Sequence, residues 1–283
     1  MRELKETTFS PQEMKAFEPV MKVGMLATVN DEGLPHLTLI TSLQAASPTQ
    51  VVWGQFTEGQ SKGFVRRNPK VGFLIMTMDR QLWRGKADFT HTAQAGPEYE
   101  RYNRVPMFRY NAYFGIHTVY YADLVAQSGR EALPMGRVAL AALQTFLAQA
   151  LGRRGEGEEA MNGWTRQLLG KVGNPKFLAH VGPDGYPVIV PLFQARAPDA
   201  GRVIFSLGAF GKELAALPAG ATVALFGMSL DMEDVLVRGT FSGVKRQGGV
   251  RCGTLDVDWV YNSMPPVPGQ VYPPVPLEPT IDF

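Results

Sequence analysis

The chain has 283 residues, 45% of them hydrophobic and 19% charged, with a net charge of +2. That length holds two domains with separate cores, and the absence of a dense Lys/Arg run excludes the basic stripe that nucleic-acid binding needs. The single cysteine, Cys252, rules out an internal disulfide framework, the polar start MRELKETTFSPQEM has no apolar leader, and the apolar stretch from Val138 to Leu151 is too short to span a bilayer. A soluble, cytoplasmic protein with no membrane or nucleic-acid partner is expected.

The elements follow in chain order. Residues 12–22 predict a leading helix, with Ser10 as N-cap and Pro11 in the first turn. A strand at Gly24–Val29, the turn Asn30-Asp31-Glu32-Gly33 and a strand at Pro35–Leu43 form a hairpin pattern. A third strand is Gln50–Gln55. Residues 60–67 predict a short helix, stopped by Asn68-Pro69. Strands at Val71–Met78 and Gln81–Thr90, a helix at Glu98–Phe108 and a long aromatic strand at Asn111–Val125 complete the first series. A helix follows over 132–152, with Leu143, Phe146, Leu147, Ala150 and Leu151 on one face. Gly152–Gly157 breaks that pattern, and a second helix is predicted over about 159–170. The final segment, Met264 to Phe283, is proline-rich, which excludes a helix or a central strand and predicts an extended strap.

The first series recurs at a constant offset of 152 residues. Leu26-Ala27-Thr28-Val29 returns as Leu178-Ala179-His180-Val181, Gly33-Leu34-Pro35 as Gly185-Tyr186-Pro187, Val51-Val52-Trp53 as Val203-Ile204-Phe205, and Val71–Asp79 as Val223–Asp231. One architectural unit is written twice. The counterpart of the long aromatic strand, Gly253–Asn262, is the shorter of the two. The predicted organisation is a first domain at 1–126, a helical connector at 127–173, a second domain at 174–262 and a proline-rich tail at 263–283. Short strands, tight hairpins and one short helix before a core strand predict a small antiparallel barrel in each copy.

Four local features carry a family resemblance: the D-x-G-x-P-H turn (Asp31, Gly33, Pro35, His36), the polar Gly-containing loop Gly54–Gly59, the R-R-N-P close of the short helix (Arg66 to Pro69), and the x-R-G-x-A-x-F strand (Arg84, Gly85, Ala87, Phe89). Over residues 20–90, and again over 175–241, the chain resembles the FMN-binding split-barrel superfamily, which includes the pyridoxamine 5′-phosphate oxidase-like proteins. The resemblance implies a mainly β (α+β) protein of two tandem six-stranded antiparallel split β-barrels. It further implies that they pack as an intramolecular pseudo-dimer, with FMN as cofactor.

By that resemblance Ser61 falls where a hydroxyl meets the flavin phosphate, and the family's preceding lysine is Gln60 here. Lys62, Arg66 or Arg67 would then supply the charge. Plain helix capping and a solvated lysine are the alternative. In the second copy Lys212 stands at the lysine position, but Glu213 replaces the hydroxyl. Thr41 and Ser42 fall at the ring-contact positions, or are ordinary strand-end polar residues. Trp53 and Trp83 are candidates for ring stacking or for core packing. Arg84 and Arg238 head the same strand in each copy, for anion binding or an ion pair. Arg109, Tyr110, Tyr113, His117, Tyr120 and Tyr121, in an aromatic block, are candidates for a substrate pocket or for a half-buried strand.

Three readings remain open at this point: an FMN-dependent oxidoreductase acting on a small molecule, a flavin- or haem-binding protein without turnover (His117 being the candidate haem ligand), and a cofactor-free interaction module. His36, His91, His117 and His180 have no metal-ligand spacing, so no metal is expected. Cys252 carries no nucleophile signature.

Overall fold

The computed structural model describes residues 4–55, 59–104, 115–152, 158–229, 231, 233–263 and 268–275. The chain divides into two compact units. The first is Arg2–Leu133 with Val181–Ile189, and the second is Pro134–His180 with Val190–Phe283. The boundary thus falls after Leu133 rather than after 126. Residues from Pro134 onward, predicted as part of a separate connector, belong to the second unit.

The first unit opens with α1 (Pro11–Phe17), whose Ser10 N-cap and Glu13 form a reciprocal capping box. The helix is shorter than its predicted 12–22, because Pro19 bars a helical conformation at Glu18 and beyond. Then come β1 (Lys22–Val29), β2 (Pro35–Leu39), β3 (Gln44–Ser47), β4 (Gln50–Gln55), α2 (Gln60–Arg67), β5 (Lys70–Thr77), β6 (Gln81–Ala93), α3 (Pro97–Arg104), β7 (Thr118–Gln127) and β8 (Glu131–Ala132). The second unit contributes α4 (Met135–Leu151), α5 (Gly163–Gly170), β9 (Lys176–Val181), β10 (Pro187–Pro191), β11 (Arg202–Ser206), α6 (Gly211–Ala215), β12 (Thr222–Met228), β13 (Asp234–Gln247), β14 (Val250–Asn262) and β15 (Gly269–Tyr272). The aromatic strand starts at Thr118 rather than 111, and its counterpart β14 is the longer of the two, reversing the expectation.

The duplication is visible in the hydrogen bonding. One sheet runs β2-β1-β5-β6-β7-β4-β3 and the other β10-β9-β12-β13-β14-β11, so six strands keep one order in both. Strands β3 and β8 are additions to the first sheet, and β15 pairs with β14 in the second. Both paths are open and antiparallel. Leu26 faces Phe73 across β1–β5, and Leu178 faces Leu225 across β9–β12, at the same offset of 152. The bulges recur as well. The β6–β7 ladder shifts register after Lys86 and after Phe89, and the β13–β14 ladder after Arg238 and after Phe241, again 152 residues on.

This register corrects one alignment. Arg84 lies opposite Leu74, whereas Arg238 lies opposite Ala224, two ladder steps away. The partner of Arg84 in the second sheet is Leu236, and that of Arg238 is Lys86.

The first core gathers Phe9, Phe17, Leu26, Trp53, Val65, Phe73, Trp83 and Tyr120. Segment 181–189 is held in the first unit by Tyr186, whose ring lies 4.8 Å from Lys70 Nζ and 5.0 Å from Lys86 Nζ. Lys86 also pairs with Asp184 at 2.7 Å, and this hydrogen bond holds the Asp184 carboxyl below its ordinary range against the opposing effect of burial.

In the second unit α4 buries Val138, Ala141, Thr145 and Ala148. Val138 and Ala141 pack with Ala209, and Ala148 packs with Ile204 and Cys252. The large residues predicted to share one face, Leu143, Phe146, Leu147 and Leu151, do share it, but that face is exposed. Small residues form the buried face because the helix lies close on β11 and β14.

Candidate functional site

The first unit's candidate site is built around α2, which packs on β1 and β2. Its N-cap is Gly59, with extended backbone (φ −151°, ψ 163°) and no side-chain cap. A Cβ at Gly59 would meet nothing within 4 Å, so the helix start opens onto free space. The first N–H groups of a helix lack intrahelical acceptors and carry the positive end of its dipole.

Strand alternation and helix periodicity bring polar side chains together beneath this turn. Ser61 is 7% exposed and its hydroxyl hydrogen-bonds the Thr38 hydroxyl on β2. His36, two residues earlier on the same face, is buried edge-on to Phe64 at 5.4 Å between ring centroids. Thr28 lies opposite His36 and is fully buried. Lys62, half-buried with its Nζ shielded from solvent, adds a cation on the first turn. Gln60 is exposed at the helix start. Hydroxyls, a cation and an uncapped helix N-terminus make a donor set that suits a phosphate group.

Other candidate residues are engaged elsewhere. Arg66 donates to the Tyr120 hydroxyl at 3.3 Å, and Tyr120 donates to Gln55 Oε1 at 2.9 Å. Arg67 pairs with Asp31 at 2.6 Å. These arginines occupy the last turn of α2, the end opposite its amide donors. Ser42 is corrected from ring contact to structural residue. Fully buried, its hydroxyl donates to Gly54 O at 3.1 Å and accepts from Gly54 N–H at 3.0 Å. Thr41 is half-buried in the turn after β2.

Trp83 is likewise a core residue. Its indole donates to Glu13 Oε1 at 2.9 Å and packs edge-on to Phe17 at 5.1 Å, binding β6 to α1. Trp53 stacks on Tyr120 with centroids 5.6 Å apart, so its ring is engaged inside the core. Arg84 makes a buried two-point contact with Glu131, at 3.2 and 3.0 Å, which realises the ion-pair alternative rather than anion binding. Tyr121 lies against His91 with centroids 4.5 Å apart. Burial, helped by the bond from its hydroxyl to Glu98, pushes its phenol up to about 12. His117 is exposed, with Nδ1 2.8 Å from Thr118 Oγ1. Arg109, Tyr110 and Tyr113 lie outside the described residues.

The second unit is built differently at the equivalent place. Helix α6 has five residues and an N-cap, Phe210, in the left-handed conformation at φ 52°. Lys212 is exposed, and Glu213 brings a carboxylate to the first turn. Helix α4 covers the preceding loop, so that a Cβ at Gly208 would lie 2.6 Å from Gln144 Oε1. Arg238 lies over the Trp259 ring at 4.4 Å.

Thr38 and Thr28 were missed in the sequence. The signal was the pairing of polar residues with apolar neighbours on a buried sheet face, visible only once α2 is known to cover it.

No family model matches the chain, and no curated protein matches it. Solved structures do. An FMN-binding protein from Syntrophomonas wolfei subsp. wolfei aligns at 13% identity and TM-score 0.35, over 41% of this chain and 81% of that one. A candidate pyridoxamine 5′-phosphate oxidase from Lactobacillus delbrueckii aligns at 16% identity and TM-score 0.35, over 45% and 98%. The styrene monooxygenase flavin reductase of Pseudomonas putida S12 aligns at 12% identity and TM-score 0.26, over 40% and 90%. Each covers less than half of this chain, and the functional reading rests on the chain's own residues.

Proposed function

We propose that the first unit binds FMN, with the flavin phosphate at the N-terminus of α2. The observation that carries this reading is the uncapped helix start at Gly59, with the Ser61 and Thr38 hydroxyls and the Lys62 cation beside it. Backbone N–H groups of the first turn, the two hydroxyls and Lys62 would hold the phosphate, with Gln60 at the rim and Thr41 on the ring side. Bound FMN would supply hydride or electron transfer, the protein's part being binding and orientation. A flavin-dependent oxidoreductase acting on a small molecule is the activity that the family resemblance supports. Lys212, on a five-residue helix beside Glu213, has no part in it.

The test is titration of purified protein with FMN, followed by quenching of flavin fluorescence. Saturable binding is expected. Ser61→Asp should weaken it at least tenfold, the scale of one lost charge-assisted contact plus repulsion. Equal affinity in this variant would place any flavin elsewhere. Bleaching of the bound flavin by NADH or NADPH separates an oxidoreductase from a carrier.

A further inference from the structure

Among the described residues, six of the large hydrophobic side chains left exposed belong to α4: Met135, Leu140, Leu143, Phe146, Leu147 and Leu151, between 39% and 68% exposed. The opposite face of the helix is already used, since Val138, Ala141, Thr145 and Ala148 are buried within the second unit. Arg137 is the helix's one charged residue. A helix apolar on every side is ordinarily covered on every side. A contiguous exposed patch of this kind marks an interaction surface.

The pattern on the exposed face specifies its occupant. Gly136, Leu140, Leu143, Leu147 and Ala150 follow one another at spacings of 4, 3, 4 and 3, the spacing of a two-helix seam. The series is symmetric about Leu143. If α4 meets a second α4 running antiparallel, Leu143 faces its own copy, Leu140 faces Leu147, and Gly136 faces Ala150. The flanking residues follow the same rule, with Met135 facing Leu151 and Phe146 facing Leu140. Every large side chain of the face thereby gains an apolar partner, small residues meet at both ends, and the two helix dipoles oppose one another. A patch without charge also demands a partner without charge, which this face itself provides.

We infer that α4 is a homodimerisation element, pairing antiparallel with α4 of a second copy of the chain about a two-fold axis at Leu143. Burial of these half-exposed side chains removes on the order of 500 Å² per copy, near the threshold of about 1,000 Å² in total for a specific interface. The dimer is therefore concentration-dependent.

Sedimentation of the full chain across a concentration series tests this. Wild type should pass from monomer to dimer at micromolar concentrations. Leu143→Glu, which places two carboxylates face to face, should remain monomeric with an unchanged circular dichroism spectrum, since residue 143 is 55% exposed. Leu143→Lys should behave likewise, and an equimolar mixture of the two variants should recover the dimer, because only the two-fold register juxtaposes position 143 with itself. A wild type that stays monomeric overturns the inference. So does a dimer that survives Leu143→Glu, or a mixture that gains nothing over either variant alone.

Discussion

The two sheets share strand order, ladder register and the places of both bulges, yet they part company at the helix that follows β4 in one and β11 in the other. In the first unit that helix is α2, of eight residues, with an open glycine start and a buried hydroxyl pair beneath it. In the second it is α6, of five residues, starting from a left-handed phenylalanine and carrying a glutamate. A ladder is held by backbone groups and by side-chain alternation, so it survives wide divergence. A ligand site depends on a few side chains and is lost with any of them.

The sharpest contrast lies at one ladder position. Arg84 in the first sheet is ion-paired in the interior, and its equivalent, Leu236, is fully buried and apolar. Arg84→Leu alone should cost about 3–5 kcal/mol, because it strands Glu131, whereas Arg84→Leu with Glu131→Leu should recover most of that loss. Thermal unfolding of the single and double variants decides it. A double variant as unstable as the single would show that the two positions are not interchangeable.

The next contrast concerns equivalent amides. The N–H of Gly54 is satisfied by the Ser42 hydroxyl, and that of Ser206, 152 residues on, by the Thr145 hydroxyl of α4. Ser42→Ala and Thr145→Val should each cost about 1–3 kcal/mol by leaving a buried donor unpaired. Urea denaturation of each variant measures it, and a negligible loss in Thr145→Val would mean that α4 does not serve the second unit as Ser42 serves the first.

Ligand binding should be equally one-sided. Lys62→Glu is expected to weaken FMN binding about tenfold or more, while Lys212→Ala should leave it unchanged. Fluorescence titration distinguishes the two, and equal losses would erase the asymmetry.

The smallest effect expected is a pH dependence. Lys176 heads β9 with its Nζ donating to Lys171 O and Asn174 O at 2.8 and 3.1 Å. Burial, assisted by Arg196, lowers its pKa from 10.5 to about 7. Lys22, heading β1, is lowered by burial and then Arg101 to about 8. Between the folded and unfolded pKa values the unfolded chain holds more protons, so stability rises with pH from about 7 toward 10.5. Lys176→Met should flatten that rise more than Lys22→Met. Denaturation midpoints that fall across this range would contradict the assignment.

Much of this was legible in the chain. The repeat at 152 residues, the hairpin turns and the bounds of β4 and α2 were read directly, since period, turn residues and Asn68-Pro69 act locally. Alternation alone could not give Ser42 its role, because its partner at Gly54 comes from another strand. Nor could it show that Trp83 reaches α1 through Glu13.

What the amino-acid order settled by itself was the doubling of one antiparallel unit and the apolar character of α4, both written in local spacing. Which face of α4 turns inward, which hydroxyl meets which amide, and which of two similar helix starts is left open were decided only by tertiary packing. Those outcomes depend on contacts between residues far apart in sequence, where steric fit and the pairing of buried polar groups, rather than local preference, choose among faces of equal hydrophobicity.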